Sequence, residues 1–259
     1  MHPLLRLEKT GHTAILTIQN PPANTWNRDS LIALKQTVAA LNAERDIYAL
    51  VITGEGEKFF SAGADLKLFA DGDKAVARDM ARVFGEAFET LSQFRGVSIA
   101  AINGYAMGGG LECCLACDLR IAEAHAQMAL PEPAVGLLPA GCGTQNLPGL
   151  VGEGWAKRMI LTNERVDAAT ALRIGLVEEV VEKGRGREAA SALASRVATL
   201  SPRAVEYCKG LIHNARNAVP RRAGLALERE RFMDLVDHGD QLEGVNAFLE
   251  KRAPAWKND

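Results

Sequence analysis

Aromatic residues are scarce in this chain, at 5% of 259 positions, and that scarcity argues against a surface built to stack nucleic-acid bases. An excess of either charge is missing as well. With 30 basic and 32 acidic residues the formal net charge is -2, so no long-range field draws the chain to nucleic acid or to an anionic membrane. No uncharged apolar run reaches the roughly 18 residues of a membrane-spanning helix, and Met1 to Thr10 lacks the apolar stretch of a removable leader. These absences predict a cytoplasmic protein with a small-molecule partner, no nucleic-acid partner and no membrane partner.

Cysteines are few and odd in number: Cys113, Cys114, Cys117, Cys142 and Cys208. Crowding three of them into one predicted helix is unlike a secreted disulfide framework and points to a reducing compartment. Zinc is the other reading of Cys113, Cys114 and Cys117, but the segment has no second ligand pair and His125 follows an intervening strand-like stretch. Small buried thiols, and no metal, are expected. The hydrolase motif G-x-S-x-G is missing too, and the glycine-rich turn described next matches neither G-x-x-x-x-G-K-[ST] nor G-x-G-x-x-G.

What is present is 47% hydrophobic residues, arranged in short apolar runs separated by helical stretches. Thr13 to Ile18, Tyr48 to Thr53, Val97 to Ile102, Leu119 to Ala122 and Val177 to Val181 read as strands. Between them Val76, Met80, Val83, Phe84, Ala87, Phe88, Leu91 and Phe94 recur at three- and four-residue spacing, which lays one apolar stripe along a helix. The alternation predicts an α/β fold. From Arg187 onward strand signals vanish, Ser201-Pro202 opens a helix, and charged amphipathic stretches run to Lys251. The expected division is residues 1–196 as the core with the active site and 197–259 as a helical region whose apolar positions need a surface to cover.

Three segments carry chemistry. Asn103-Gly-Tyr-Ala-Met-Gly-Gly-Gly110 lies between a strand and a helix, where a glycine-rich bend offers unpaired N–H donors and the helix dipole favours a developing negative charge. Tight packing alone would also explain such a run. Just past it, Glu112 sits in the first turn of an otherwise apolar helix. Capping is the plain explanation; an apolar setting would instead raise its pKa and suit it to proton transfer. Glu132 stands in Pro131-Glu132-Pro133, where proline on both sides restricts its direction, although a loop glutamate is usually just solvated. A second small-residue turn, Ser61-Ala-Gly-Ala-Asp-Leu-Lys67, follows the strand Tyr48 to Thr53.

In these motifs, and in the run Pro131-Glu132 through Gln145, the chain resembles the enoyl-CoA hydratase/isomerase (crotonase) superfamily over nearly its whole length. The resemblance implies a spiral of repeated ββα units followed by helices that assemble trimers, commonly paired into hexamers. It places the oxyanion-hole donors on the backbone N–H groups of Ala64 and Gly109, and a water between Glu112 and Glu132. Glu112 would deprotonate that water as it adds at C3 and Glu132 would give a proton to C2 of a 2-enoyl-CoA. No cofactor is implied, since the coenzyme A belongs to the acyl-CoA substrate. Ala62, Ala64, Asp65, Leu66, Lys67, Gly108, Gly109 and Ala140 would line the substrate path, with Lys251 and Arg252 placed like further CoA contacts. Asn20-Pro-Pro-Ala-Asn24 resembles the opening of some hydratase/isomerase members, here without an appended dehydrogenase domain.

One departure stands out. The family run Pro-Gly-Ala-Gly-Gly-Thr-Gln reads Pro139-Ala140-Gly141-Cys142-Gly143-Thr144-Gln145, so alanine would strain any left-handed conformation at 140 and Cys142 would add bulk near the acyl chain or water. An isomerase, which needs only Glu132, a non-catalytic acyl-CoA scaffold and thioester hydrolysis remain as alternatives; the extra carboxylate Glu112 favours hydration.

Overall fold

The computed structural model describes residues 3–236 and 238–258. The chain opens with an antiparallel pair, β1 (Leu5–Thr10) and β2 (Thr13–Ile18), and then helix α1 (Arg28–Ala43), which Asn27 and Ser30 start by exchanging side-chain bonds with each other's backbone N–H. Three similar passages follow: β3 (Ala49–Gly54), β4 (Phe59–Ser61) and α2 (Lys74–Ser92); β5 (Val97–Ile102), β6 (Tyr105–Met107) and α3 (Gly109–Ala116); β7 (Leu119–Glu123), β8 (Gln127–Ala129) and α4 (Gly143–Leu161), which is broken at Gly152. After them come β9 (Val166–Asp167), α5 (Ala168–Ile174), β10 (Glu179–Val181) and α6 (Gly186–Val197).

In each passage the first strand enters one sheet and the second strand another. The larger sheet has the order β1-β2-β3-β5-β7-β10 and the smaller β4-β6-β8-β9. Since β3, β5 and β7 pair in parallel, as do β4, β6 and β8, the chain advances one strand in both layers with every ββα turn. This is the spiral that the resemblance implied. Glycine makes the change of layer feasible at Gly104, where a Cβ would fall 2.3 Å from the Lys58 carbonyl oxygen.

Side-chain alternation along the larger sheet divides the core. Leu50, Ile52, Ala100, Ile102 and Ala122 face the main interior, while Ala49, Val51, Ile99, Ala101 and Ile121 meet Ala190 and Ala194 of α6 on the opposite face. The helix α2 turns Met80, Val83, Phe84, Ala87, Phe88 and Leu91 inward. Val76, counted in the same stripe from spacing, is 38% exposed, because the first turn of α2 runs past the edge of the core.

The remaining helices are α7 (Pro202–Arg216), α8 (Arg221–Val236) and α9 (Gly239–Leu249). Lys209 anchors α7: its Nζ donates to the carbonyls of Phe94 (2.6 Å) and Gly96 (3.0 Å) and to the Asp118 carboxylate (2.6 Å). In contrast, Phe232, Met233, Leu242, Val245, Phe248 and Leu249 are exposed on α8 and α9. Among the described residues no helix is long and apolar enough to cross a membrane.

Burial alone would raise the Asp118 carboxyl, but His213, Lys209 and the Ser98 N–H together hold it below the ordinary carboxylate range. A depressed folded pKa contributes stability above the unfolded value of about 3.9, and that contribution is lost as pH falls through the folded value. Lys209→Met leaves Asp118 charged, buried and short of its partner, at a cost of about 3 kcal/mol. Thermal melts should show a lower Tm for the variant at pH 7 and a difference from wild type that narrows at acid pH; equal melts at pH 7 would contradict the anchor.

Candidate active site

At the start of α3 the chain passes through Gly108, with φ 52° and ψ −126°, a conformation closed to L side chains in ordinary circumstances. A Cβ there would fall 2.9 Å from Oε1 of Glu132. The turn after β4 approaches from the other side. Gly63 has φ +89°, and a Cβ on it would fall 2.6 Å from the Met107 carbonyl oxygen and 3.1 Å from the Gly109 nitrogen. Two stretches of main chain therefore meet with no side chain between them. The N–H groups of Ala64 and Gly109 find no acceptor among the described residues, and both residues line one cavity.

Glu112 lies in the first turn of α3, yet it does not cap that helix. Its side chain turns to the loop that opens α4, where Oε1 accepts from the N–H groups of Gly141 (2.9 Å), Cys142 (2.8 Å) and Gly143 (2.8 Å). The carboxyl is thus held at the positive end of α4. Glu112 is only 2% exposed, and burial pushes its pKa up despite the opposing pull of the three N–H donors.

Glu132 begins a single 3-10 turn, Glu132–Val135, just past Pro131. No protein donor reaches its buried Oε2. Burial raises its pKa to about 7; its own backbone N–H opposes the rise and the charge on Glu112 adds to it. The two carboxyls therefore differ in kind: one is pinned by three donors, the other is poorly solvated and retains its proton more readily.

Both open on a cavity of about 760 Å³, a size suited to a small-molecule ligand. Leu66, Phe69, Ala77, Ala81 and Phe84, from α2 and the turn before it, line it together with Val135, Leu137 and Leu138 from the loop before α4 and with Ala62, Ala64, Gly108, Gly109 and Ala140. Among the described residues Thr25 is the one uncharged polar side chain on the lining, and no cationic side chain is on it. The structure thus gathers Ala62, Ala64, Leu66, Gly108, Gly109, Glu112, Glu132 and Ala140 on one cavity lining.

Two motif residues fall outside the cavity lining. Asp65 accepts from the Lys67 N–H at 3.1 Å and so starts its own short turn, and Lys67 does not line the cavity. Arg252 pairs with Glu243 and Glu250 near the end of α9, and neither it nor Lys251 lines the cavity. Ala140 has no positive φ, so the alanine there carries no left-handed strain. Cys142 does not crowd the cavity: its Sγ donates to the main-chain oxygen of Glu112 at 3.2 Å. Phe69, Ala77, Ala81, Phe84, Leu137 and Leu138 also line the cavity, a role the sequence does not mark even where it places Phe84 in an apolar stripe, because apolar lining carries no chemical signature apart from core. Cys113, Cys114 and Cys117 are buried, with thiols pushed up by burial, and no group of His, Cys, Asp or Glu among the described residues is placed to hold a metal ion.

Two largely parallel strand layers wound into a spiral, with paired carboxyls beside a glycine turn, define a class of α/β enzyme. A family model described as enoyl-CoA hydratase/isomerase matches residues 8–259, and the chain belongs to that family. It is 36% identical over 247 residues to a short-chain-enoyl-CoA hydratase of Clostridium acetobutylicum, covering 95% of this chain and 94% of the relative. It is 38% identical over 254 residues to a 2,3-dehydroadipyl-CoA hydratase of Escherichia coli, covering 98% of each. Among solved structures, DspI of Pseudomonas aeruginosa is 68% identical and superposes with a TM-score of 0.97 over 99% of this chain and 97% of that one.

Gly108→Ala forces a side chain into a left-handed turn, at a cost of about 1–3 kcal/mol, and against Glu132. The carboxyl should be displaced toward solvent. A carbon-13 NMR titration of labelled glutamate is expected to show the Glu132 pKa falling from about 7 toward the ordinary value of about 4.3; an unmoved titration would mean that the turn does not hold this carboxyl.

Proposed function

We propose that the chain is an enoyl-CoA hydratase, adding water reversibly to a 2-enoyl-CoA to give a 3-hydroxyacyl-CoA in fatty-acid or related acyl-CoA degradation. The observation that carries the reading is the unlike pair of carboxyls, Glu112 under three N–H donors and Glu132 with a pKa near 7, on the wall of one cavity. The thioester oxygen would rest on the N–H groups of Ala64 and Gly109. As water adds at C3, Glu112 takes its proton, charge moves onto that oxygen as an enolate, and Glu132 delivers a proton to C2. Each oxyanion donor is worth about 3–4 kcal/mol in comparable sites. Main-chain donors and two carboxyls suffice for this chemistry, so the reading needs no cofactor, and the coenzyme A arrives with the substrate.

The apolar walls suit a hydrocarbon acyl chain, for which no lining cation is required. A cytoplasmic location is consistent with this role. The cut near residue 197 belongs to the same reading: the uncovered apolar side chains of α8 and α9 support residues 197–259 as a trimerising region, giving a homotrimer or a dimer of trimers.

Crotonyl-CoA mixed with the purified protein should lose its conjugated-thioester absorbance while mass spectrometry records the gain of one water, and a panel of longer and carboxyl-ended enoyl-CoAs should rank the hydrocarbon chains first. Glu112→Gln and Glu132→Gln should each slow hydration by orders of magnitude and leave CoA binding nearly intact. Unchanged absorbance across the panel would turn the reading to an isomerase, tried next with a 3-enoyl-CoA; near-normal turnover in both variants would remove the assigned roles.

Hydration needs Glu132 protonated and Glu112 ionised. Raising the pH through about 7 strips the donor, so kcat/KM for hydration should fall on that side, and it should fall again at low pH as Glu112 takes up a proton. Glu112→Gln removes the neighbouring charge, so the residual activity should show its alkaline limb at lower pH; an unmoved limb would assign it to another group.

A further inference from the structure

We infer that Trp26 is a positioning residue for the oxyanion contact, aiming the Ala64 N–H into the cavity through the peptide unit that Ala64 shares with Gly63. The inference rests on the proposed role of Ala64 and goes beyond it. The Trp26 N–H donates to the Gly63 carbonyl oxygen at 2.7 Å, and the Asp65 N–H donates to the Trp26 carbonyl oxygen at 3.0 Å. Gly63 C=O and Ala64 N–H belong to one planar trans peptide, in which the two bonds point in opposite directions. Holding the Gly63 oxygen therefore fixes the direction of the Ala64 N–H. The second bond steadies the peptide on the far side of Ala64, and a third, from the Ala62 N–H to the Ala23 carbonyl at 2.9 Å, extends the pairing upstream.

The backbone of Trp26 can act as a fixed support because its side chain is fixed. The residue is fully buried, although its indole Nε1 has no hydrogen-bond partner, so packing rather than a polar bond locates the ring. It meets Phe88 edge to face at 6.1 Å, and Phe88 meets Phe84 at 5.7 Å. Phe84 in turn lies against Gly109, where an added Cβ would fall 2.7 Å from its ring. One row of three aromatic rings thus runs from the support of the Ala64 peptide to Gly109. The ring positions set the spacing of the two N–H groups, and neither Trp26 nor Phe88 lines the cavity.

Trp26→Ala and Trp26→Phe, both checked for folding by thermal melts, test the inference with crotonyl-CoA turnover and with the infrared carbonyl stretch of bound carbon-13-labelled butyryl-CoA. Wild-type protein is expected to lower that stretch relative to free butyryl-CoA. Trp26→Ala should lose at least half of the shift and at least tenfold in kcat, with KM within threefold, and Trp26→Phe should recover both to within about threefold of wild type. If the alanine variant does not fold, Trp26→Leu takes its place with the same expected losses. A folded variant that keeps the wild-type shift and kcat overturns the positioning role, as does an alanine-sized loss in Trp26→Phe. No shift in the wild-type protein overturns the oxyanion reading of Ala64 itself, a failure distinguishable from the first because it appears before any substitution.

Discussion

Main chain touches main chain where the turn after β4 meets the turn after β6, and the site depends on that contact. A Cβ on Gly63 would overlap the Met107 carbonyl, so a side chain there would push the two layers apart. Parallel pairing of β4 with β6 delivers both turns to the same end of the smaller sheet, past the C-terminal ends of the two strands, and glycine lets them close. Two N–H groups from distant parts of the sequence then reach one cavity without a flexible side chain intervening. Donors built from backbone reorganise little as charge develops, which is the property that makes such sites effective.

The spiral places the carboxyls by the same logic. Glu112 belongs to the second ββα passage and Glu132 to the third, so one turn of the spiral separates them in sequence while parallel pairing of β6 with β8 brings their turns side by side. Their environments then diverge. Glu112 receives the first N–H groups of α4, whereas Glu132 keeps a buried oxygen with no donor. Burial lifts both pKa values, but three N–H donors oppose the rise at Glu112 and only its own backbone N–H does so at Glu132, and like-charge repulsion deepens the difference by favouring a single ionised member.

Legibility in the sequence followed length and periodicity. The six-residue strands β2, β3 and β5 and the stripe of α2 are long enough to repeat a pattern, and they fall within a residue or two of the predicted positions. The strands of the smaller sheet that carry the turns, β4, β6 and β8, are three residues each, too short for alternation to register. The glycine run and Glu112 could be singled out locally. What Glu112 binds could not, since its three donors lie 29 to 31 residues further on. Lys67 marks the opposite limit: a motif position and a positive charge suggest a ligand contact, while its side chain stands off the cavity lining.

Cys142 shows how a departure in a motif can be absorbed. Its own N–H is one of the three that hold Glu112, a bond that any residue except proline could supply. What the substitution had to avoid was placing a side chain toward the carboxyl, and the neighbouring glycines mark how little room there is: a Cβ at Gly141 or Gly143 would come within about 3 Å of a Glu112 oxygen. The Cys142 thiol instead reaches the main-chain oxygen of Glu112, so the added side chain ties the loop to α3 from outside the cavity. At the middle position of this run the side chain therefore faces away from the carboxyl, whereas in this chain a side chain at either flanking glycine would meet a Glu112 oxygen.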